Sequence, residues 1–385
     1  MGVVTLENSI YFDNAATALI NKEYLKSQYD SLFGSSDFST PLNPSSPHRF
    51  GDEASLLLES SREKIMKVFG QNEGKIIFTS GGTESNNLSI IGRAKSKKKQ
   101  KLSFFALPWE HPSVLEPLKY VSEEKLAGVQ IAPFEEWVIP GQGFVSIVMS
   151  QVSHETGDIN DIEKIVNLSN LQNPNVSLQI DGMQGFCKAK FPNLPFASYS
   201  ASSHKIHGLS GTGFLFVKKG FQMKPLFFGG KQESGFRPGT EPVFLIAMMA
   251  ESIAKLSVDI DSNITAVKEI KEKLLCLEKN LPDVCINNKT CSTSPYILNM
   301  SFLGVKAEVL VRLLSENGVH ASMGAACNSK SKDKSALEKM GFSKEVAESA
   351  VRFSFSHLNN LDEAVRACEI VEKCVIKLRK VGSGS

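Results

Sequence analysis

The chain has 385 residues, of which 42% are hydrophobic and 22% are charged, and its formal net charge is +2 at pH 7. This composition is ordinary for a soluble globular protein, and the length allows one large domain or two. The nearly balanced charge argues against a dedicated nucleic-acid surface. No apolar run approaches the ~20 residues that a membrane helix needs, so a membrane partner is not expected either.

The cysteines and the chain ends indicate where the protein works. The seven cysteines form no CxxC pair and have no close histidine partner, so the sequence predicts neither a metal site nor a disulfide framework. The N-terminus lacks the basic region and apolar core of a secretion signal. We therefore expect a reducing, cytoplasmic location. Residues 381–385 are rich in glycine and serine and are expected to form a flexible tail.

The middle of the chain alternates predicted helices and strands. Residues 53–69 carry a helical apolar stripe, residues 75–79 form a short strand, and a helix begins near Thr83. Further predicted strands are 144–150, 176–180 and 213–217. Strands separated by helices predict an α/β fold with a mostly parallel sheet and helices on both faces.

The pattern changes after residue 255. Two segments, 297–302 and 351–355, alternate like strands of an antiparallel sheet and are flanked by helical stretches. We therefore predict a large domain over residues 20–255. A smaller α+β domain is expected to combine residues 1–19 with residues 256–380.

One pair of residues is the most informative in the chain. The strand 176–180 runs directly into Asp181, and a second short strand runs into Ser202-Ser-His204-Lys205. A lysine amine can form a Schiff base with the aldehyde of pyridoxal 5′-phosphate (PLP). A carboxylate can keep the pyridine nitrogen protonated, so that the ring accepts electrons. The pair therefore predicts a PLP site built on Asp181 and Lys205.

A phosphate site precedes this pair in the sequence. Phe78-Thr-Ser-Gly-Gly82-Thr83 is a strand, a glycine pair and the start of a helix. Glycine allows close backbone approach, and the helix N-terminus attracts an anion. The Gly-Gly turn alone indicates only a strand-to-helix connection, but the Glu-Ser-Asn-Asn that follows makes the pattern more specific. Ser202 and His204 are candidates for further bonds to the same phosphate.

Three other residues are candidates for contacts with the cofactor. His111, in Trp109-Glu-His-Pro-Ser, either stacks on the ring and moves protons or is a hydrogen-bonded loop histidine. Gln184, three residues after Asp181, either bonds the phenolic oxygen or is a turn residue. Thr240 lies in a loop rich in glycine and proline, where its hydroxyl could bond a phosphate in its own subunit or across a dimer interface.

Two residues near the C-terminal end are candidates for contacts with the substrate. Arg352 lies between apolar residues, so it is either on the solvent face of its strand or directed into a site. Periodicity alone favours a surface arginine, whereas a substrate carboxylate would need such a bidentate group. Cys327 lies in a loop of small and polar residues, with lysines at 330, 332 and 334 that favour the thiolate. A loop cysteine without zinc partners is a candidate nucleophile.

Together these segments resemble the cysteine desulfurase family, a NifS/IscS-like group among the class V aminotransferases of PLP fold type I. The resemblance runs from Ile10-Tyr-Phe-Asp-Asn14 through Asn43-Pro-Ser-Ser-Pro to Arg352-Phe-Ser. It implies a homodimer with active sites at the subunit interface. It also implies roles for the matching residues. Lys205 would bind the cofactor aldehyde and Asp181 would pair with the pyridinium, while the phosphate would be held by Thr83, Ser202, His204 and, from the other subunit, Thr240. His111 would stack on the ring, Asn14 and Arg352 would contact the substrate, and Cys327 would take the sulfur.

The implied activity is the conversion of L-cysteine to L-alanine. A persulfide would form on Cys327 and pass to a sulfur-acceptor protein, for iron–sulfur clusters or other sulfur compounds. The alternatives are a selenocysteine lyase, another class V lyase or aminotransferase, and a degenerate PLP-binding sulfur-relay adapter. Cys327 favours a desulfurase, because a transaminase needs no mobile thiol, and the intact Lys205 and Asp181 argue against the adapter.

The chain departs from the family pattern at three places. Val152-Ser-His154-Glu-Thr-Gly has His154 where the family has an asparagine that bonds the phenolic oxygen, and imidazole in one tautomer can donate the same bond. Ser322-Met-Gly-Ala-Ala-Cys327 lacks two hydroxyls that the family has beside the nucleophile. The sequence also stops soon after a helix predicted to end near Lys380, without the longer tail by which some members are expected to engage a scaffold partner.

Overall fold

The computed structural model of the protein describes residues 9–34, 43–70, 73–97, 100–324 and 334–382. The strands are, in chain order, β1 (Ile10–Tyr11), β2 (Gly74–Thr79), β3 (Leu102–Ala106), β4 (Gly128–Ile131), β5 (Phe144–Ser150), β6 (Val176–Asp181), β7 (Ser198–Ser202), β8 (Gly213–Lys218), β9 (Val284–Ile286), β10 (Ile297–Phe302), β11 (Val319–His320) and β12 (Ala350–Ser354). The helices are α1 (Lys22–Phe33), α2 (Arg49–Phe69), α3 (Gly82–Ser96), α4 (Pro112–Glu123), α5 (Ile162–Gln172), α6 (Val243–Val258), α7 (Ile260–Asn280), α8 (Ala307–Glu316), α9 (Ala336–Lys339), α10 (Lys344–Glu348) and α11 (Leu361–Gly382).

The described residues form two compact units. The larger unit comprises residues 20–151 and 160–260, and the smaller unit comprises the described residues of 1–19, 152–159 and 261–385. Each unit has an apolar core of its own.

The compact units depart from the predicted domain bounds at the segment 152–159 and at residues 256–260, and the domain assignment stays a prediction. Residues 152–159 bond to the smaller unit. The Asp158 carboxylate accepts hydrogen bonds from the backbone N–H groups of Lys289 at 2.9 Å and Thr290 at 3.1 Å. The Asn299 side-chain amide donates to the Glu155 carbonyl at 3.1 Å. Nothing in the local sequence of the segment indicates these long-range bonds.

The larger unit is built on a central sheet. Among the described residues it has seven strands in the order β2-β8-β7-β6-β5-β3-β4. Four neighbouring pairs, from β4 to β7, are parallel, whereas β8 is antiparallel to both β7 and β2. The prediction of a mostly parallel sheet is therefore confirmed. Since β8 opposes both of its neighbours, β2 runs in the same direction as β3, β5, β6 and β7.

Alternate residues of the strands face two helical layers. On β3, Phe105 packs in the core that includes α2 and α6, whereas its neighbour Phe104 packs with residues of α3 and α4. Adjacent side chains of a strand point to opposite faces, so a strand buried on both faces is a continuous apolar run. This explains why strand β5 coincides with the predicted range 144–150.

The smaller unit contains the predicted antiparallel strands. Strand β10 pairs with β12, with Asn299 opposite Arg352, and also with β9. These pairings confirm the antiparallel arrangement predicted for residues 297–302 and 351–355. Helices α7, α8 and α11 supply apolar side chains to the same core as this sheet. In the part of the chain that the structure describes, none of the helices has both the length and the apolar character needed to cross a bilayer.

Candidate active site

The carboxyl ends of six strands lie at one edge of the large sheet. Strands β2 to β7 point in the same direction, and loops at that edge are where open α/β sheets bind ligands. The sheet thereby brings together most of the predicted cofactor residues. Those that follow these strands are Gly82, Thr83, His111, Asp181, Gln184, Ser202, His204 and Lys205.

The phosphate turn, residues 79–83, leads from β2 into α3. Gly81 has a φ of 153°, a conformation that residues with a Cβ rarely adopt. A Cβ on Gly81 would lie 3.6 Å from the Ser202 hydroxyl oxygen, so this hydroxyl lines the space above the turn. No described side chain caps the N-terminus of α3. Backbone N–H groups, a helix dipole and a hydroxyl suit a phosphate group.

Asp181, the last residue of β6, is buried and is held from two sides. Its Oδ2 accepts a hydrogen bond from Asn86 Nδ2 at 2.9 Å. Its Oδ1 accepts one from the Met183 backbone N–H at 3.0 Å. Both bonds use the carboxylate oxygens as acceptors and fix the orientation of the group. A fixed negative charge at this position suits a protonated pyridine nitrogen.

His111 is linked to Asp181 through two polar side chains. The Ser113 backbone N–H donates to His111 Nδ1 at 3.1 Å, so this nitrogen carries no proton. The Ser113 hydroxyl lies 2.8 Å from the same nitrogen and accepts a hydrogen bond from Asn86 at 2.9 Å. The imidazole is therefore neutral, with its proton on Nε2. His111 caps the N-terminus of α4, which agrees with the loop-histidine interpretation and leaves its cofactor role a prediction.

Lys205 ends a short 3₁₀ turn beside two other basic residues. Burial, and then the charges of Lys205 and Lys188, lower the pKa of His204 to about 4, so its imidazole is neutral at pH 7. Burial, and then the charge of Lys205, lower the pKa of Lys188 to about 7. Lys188 thus lies close enough to Lys205 for their charges to interact.

Glu110 is buried at the same edge, directly before His111. Burial, and then the negative charge of Asp181, raise the pKa of Glu110 to about 8. Its Oε2 accepts a hydrogen bond from the Ser150 N–H at 2.9 Å, while its Oε1 is buried with no hydrogen-bond partner among the described residues. Glu110 is therefore mainly protonated at pH 7.

Arg352 and Asn14, two of the predicted substrate residues, lie in the smaller unit. Arg352 is only 7% exposed, so the prediction from periodicity that it lies on the surface is wrong. The reason is that β12 is covered on both faces. Its guanidinium donates to the His154 carbonyl at 2.8 Å and to Asp13 at 3.3 Å. The neighbouring Asn14 is buried and donates to the Ser354 carbonyl at 2.9 Å.

The structure gives less information on two other predicted site residues, Thr240 and Cys327. Thr240 is exposed at the end of the loop 231–240, which precedes α6. Cys327 lies outside the described residues, so its surroundings stay a prediction.

The sequence and fold are similar to those of known PLP-family proteins. The chain matches the family described as aminotransferase class-V over residues 10–366. It is 31% identical to the cysteine desulfurase IscS of Dictyoglomus turgidum, over 98% of this chain and 97% of the relative. It is 34% identical to a NifS/IcsS protein homolog of Lactobacillus delbrueckii, over 92% of this chain and 94% of the relative. A solved structure titled NifS-like protein superimposes with a TM-score of 0.82 at 28% identity, covering 98% of this chain and 100% of that one.

The chain belongs to the cysteine desulfurases of the class-V aminotransferase family. This family is PLP-dependent, so the predictions of an enzyme, of PLP as its cofactor and of a fold-type I architecture are confirmed. The residues present fit the cofactor, because an uncapped helix N-terminus with the Ser202 hydroxyl above it suits the phosphate and the held Asp181 carboxylate suits the pyridinium.

Several polar residues of this desulfurase site were not identified from the sequence. Asn86 stands in the Thr83-Glu-Ser-Asn motif, and Glu110 directly precedes His111, so their positions offered a signal. Ser113, two residues after His111, is in the same motif and could have been identified in the same way. Lys188 offered none, because only the fold brings it near Lys205.

Proposed function

We propose that this protein is a PLP-dependent cysteine desulfurase, which converts L-cysteine to L-alanine and transfers the sulfur to Cys327. The observation that carries the proposal is the shared sheet edge, where the held carboxylate of Asp181, the phosphate turn and Lys205 come together. The curated relatives named cysteine desulfurase match nearly the whole chain and do not favour the lyase, aminotransferase or adapter alternatives.

The cofactor residues have separate tasks in this proposal. Bound PLP supplies an aldehyde that reacts with amines and a ring that withdraws electrons from the α-carbon of an amino acid. The Lys205 amine holds the aldehyde, and Asp181 keeps the ring nitrogen protonated. Thr83, Ser202 and the neutral His204 donate hydrogen bonds to the phosphate.

The other residues bind the substrate and move protons. Arg352 and Asn14 would contact the amino acid, and Lys205 Nζ would take the proton from the α-carbon of the substrate. His111 donates from Nε2, the nitrogen that carries its proton. His154 and Gln184 bond the phenolic oxygen of the cofactor. These assignments rest on the family motifs together with the hydrogen bonds described above.

The sulfur step belongs to Cys327. Its thiolate attacks the substrate sulfur, and a new S–S bond forms as the bond between that sulfur and the β-carbon breaks. The β-carbon gains a proton and alanine leaves, while the persulfide remains on Cys327. A sulfur-acceptor protein then takes the sulfur for iron–sulfur cluster assembly or another sulfur compound.

We further propose a homodimer in which Thr240 of one subunit binds the phosphate of the other. Two aromatic residues just before the loop 231–240 are exposed in the single chain, Phe227 to 58% and Phe228 to 87%. Exposed aromatic pairs of this kind favour a covered interface. The free thiols at the described cysteines support a reducing, cytoplasmic location.

The test of the function is the stoichiometry of turnover. Purified protein with PLP, L-cysteine and a reductant should release alanine and sulfide in equal amounts, without any keto acid. A transaminase would instead require a keto acid and would release no sulfide. Turnover of selenocysteine but not cysteine would point to the lyase.

A further inference from the structure

The loop 231–240 contains a buried acid held in an unusual backbone conformation. Glu233, Ser234 and Gly235 have consecutive φ angles of 50°, 56° and 78°. Residues other than glycine rarely adopt this conformation, which persists only where the surroundings hold it. Although the ends of the loop are exposed, the Glu233 side chain is only 1% exposed.

The contacts of Glu233 lead to the strand that enters the phosphate turn. Its Oε1 accepts a hydrogen bond from Arg62 Nη2 at 2.9 Å, and its Oε2 accepts one from Arg62 Nη1 at 3.0 Å. The Phe78 backbone N–H also donates to Oε2 at 2.8 Å. Phe78 is the residue before Thr79, where the turn begins. The guanidinium of Arg62 lies over the Phe78 ring, 4.7 Å from its centre.

A second contact joins the same loop to the far side of the turn. Arg237 Nε lies 3.3 Å from Glu84 Oε1, in the first turn of α3. The other oxygen of Glu84 accepts a hydrogen bond from the Ser80 N–H within the turn at 2.7 Å. The loop is therefore bonded to the residues before the phosphate turn and to those after it.

We propose that Glu233 is a positioning residue for the cofactor phosphate, which fixes the phosphate turn and the loop that carries Thr240 as one piece. This inference rests on the proposed function, because it takes the turn and Thr240 as the phosphate ligands. Glu233 does not contact the phosphate. It is bonded to Arg62 and Phe78 and acts through the phosphate turn and the loop 231–240.

In the proposed homodimer, Glu233 would link the two cofactor sites. If Thr240 serves the phosphate of the other subunit, Glu233 joins the turn of one cofactor site to the loop that completes the other site. Binding of PLP to the first subunit then orders both segments and favours binding to the second. Glu233 therefore makes cofactor binding positively cooperative, with a Hill coefficient between 1 and the limit of about 2 set by two sites.

The test compares Glu233→Gln with the matched control Glu59→Gln. Glu59 also bonds Arg62, at 3.3 Å, but is 59% exposed. Glutamine keeps the size of Glu233 and an acceptor for Phe78 but loses the charged bidentate pair. We expect E233Q to weaken PLP binding about tenfold, the scale of one charge-assisted hydrogen bond, and to lower the Hill coefficient to about 1. E59Q should bind like the wild type.

Pyridoxal, which lacks the phosphate, separates positioning from a general loss of structure. E233Q should bind pyridoxal as the wild type does, and its amide hydrogen exchange should be faster in residues 79–84 and 231–240. Equal weakening of PLP and pyridoxal, or wild-type affinity and exchange in E233Q, would overturn the inference and leave the proposed function standing. Failure of the wild-type protein to bind PLP would instead refute the proposed function, and the role of Glu233 with it.

Discussion

Asn86 Nδ2 lies 2.9 Å from Asp181 Oδ2 and uses its second proton on the Ser113 hydroxyl, also at 2.9 Å. One amide group therefore orients the carboxylate proposed for the pyridinium and the serine that contacts His111. The Asn86 carbonyl oxygen accepts a hydrogen bond from the Ser200 hydroxyl at 2.5 Å, which fixes the orientation of the amide. The same side chain thus holds the carboxylate proposed for the pyridinium and, through Ser113, the histidine proposed as a proton donor.

Asn86→Ala should lower kcat for alanine formation about tenfold or more, because Asp181 and Ser113 both lose a buried partner. The measurement is steady-state kinetics with L-cysteine at saturating PLP. Asn170→Ala, an exposed asparagine on α5, is the control and should keep wild-type kinetics. Wild-type kcat in Asn86→Ala would show that the bonds to Asp181 and Ser113 do not matter for the reaction.

Glu110→Gln should change how the stability of the cofactor-free protein depends on pH. The pKa of Glu110 is raised from 4.5 to about 8, so the folded state holds a proton that the unfolded state loses over this range. This contribution to stability is complete below about pH 4.5 and is lost as the pH rises through 8. Glutamine cannot ionise, so the variant should gain about 2–4 kcal/mol relative to the wild type between pH 5 and 8.

Urea unfolding at several pH values measures this difference. Glu116→Gln, at an exposed glutamate on α4, should follow the wild-type curve. A difference between Glu110→Gln and the wild type that stays constant with pH would mean that Glu110 does not titrate in this range.

Lys205→Ala should remove the yellow absorbance near ~400 nm that PLP shows when it is bound to a lysine amine. The spectrum of the purified protein with added PLP, after removal of the free cofactor, is the measurement. Lys219→Ala, at an exposed lysine after β8, should keep the band. Persistence of the band in Lys205→Ala would assign the cofactor to another lysine.

Arg352→Lys should raise the KM for L-cysteine about tenfold or more with a smaller effect on kcat, because lysine cannot bind a carboxylate in bidentate fashion. Arg312→Lys, on the exposed face of α8, serves as the control. An unchanged KM together with a lower melting temperature would limit Arg352 to its structural bonds with Asp13 and His154.

The sequence was most informative where burial follows from a local pattern. Strand β10 coincides with the predicted range 297–302 because Asn299 and Ser301 alternate with apolar residues that pack in the core of the smaller unit. The burial of Arg352 was missed because alternation assumes that one face of a strand meets water, whereas the residues of β12 are buried on both faces. The positions of Lys188 and of the segment 152–159 depend on long-range contacts, which have no signature in the local sequence.

The proposed desulfurase activity depends most directly on the transfer of sulfur to Cys327. The direct measurement is a single turnover of the PLP-loaded protein with L-cysteine and no reductant, followed by alkylation, digestion and mass spectrometry. We predict one alanine released per subunit and one additional sulfur atom on the peptide that contains Cys327. Cys291→Ala, at an exposed cysteine, should behave in the same way. Alanine formation with no added sulfur on the Cys327 peptide, or unchanged sulfide release by Cys327→Ala, would contradict the account.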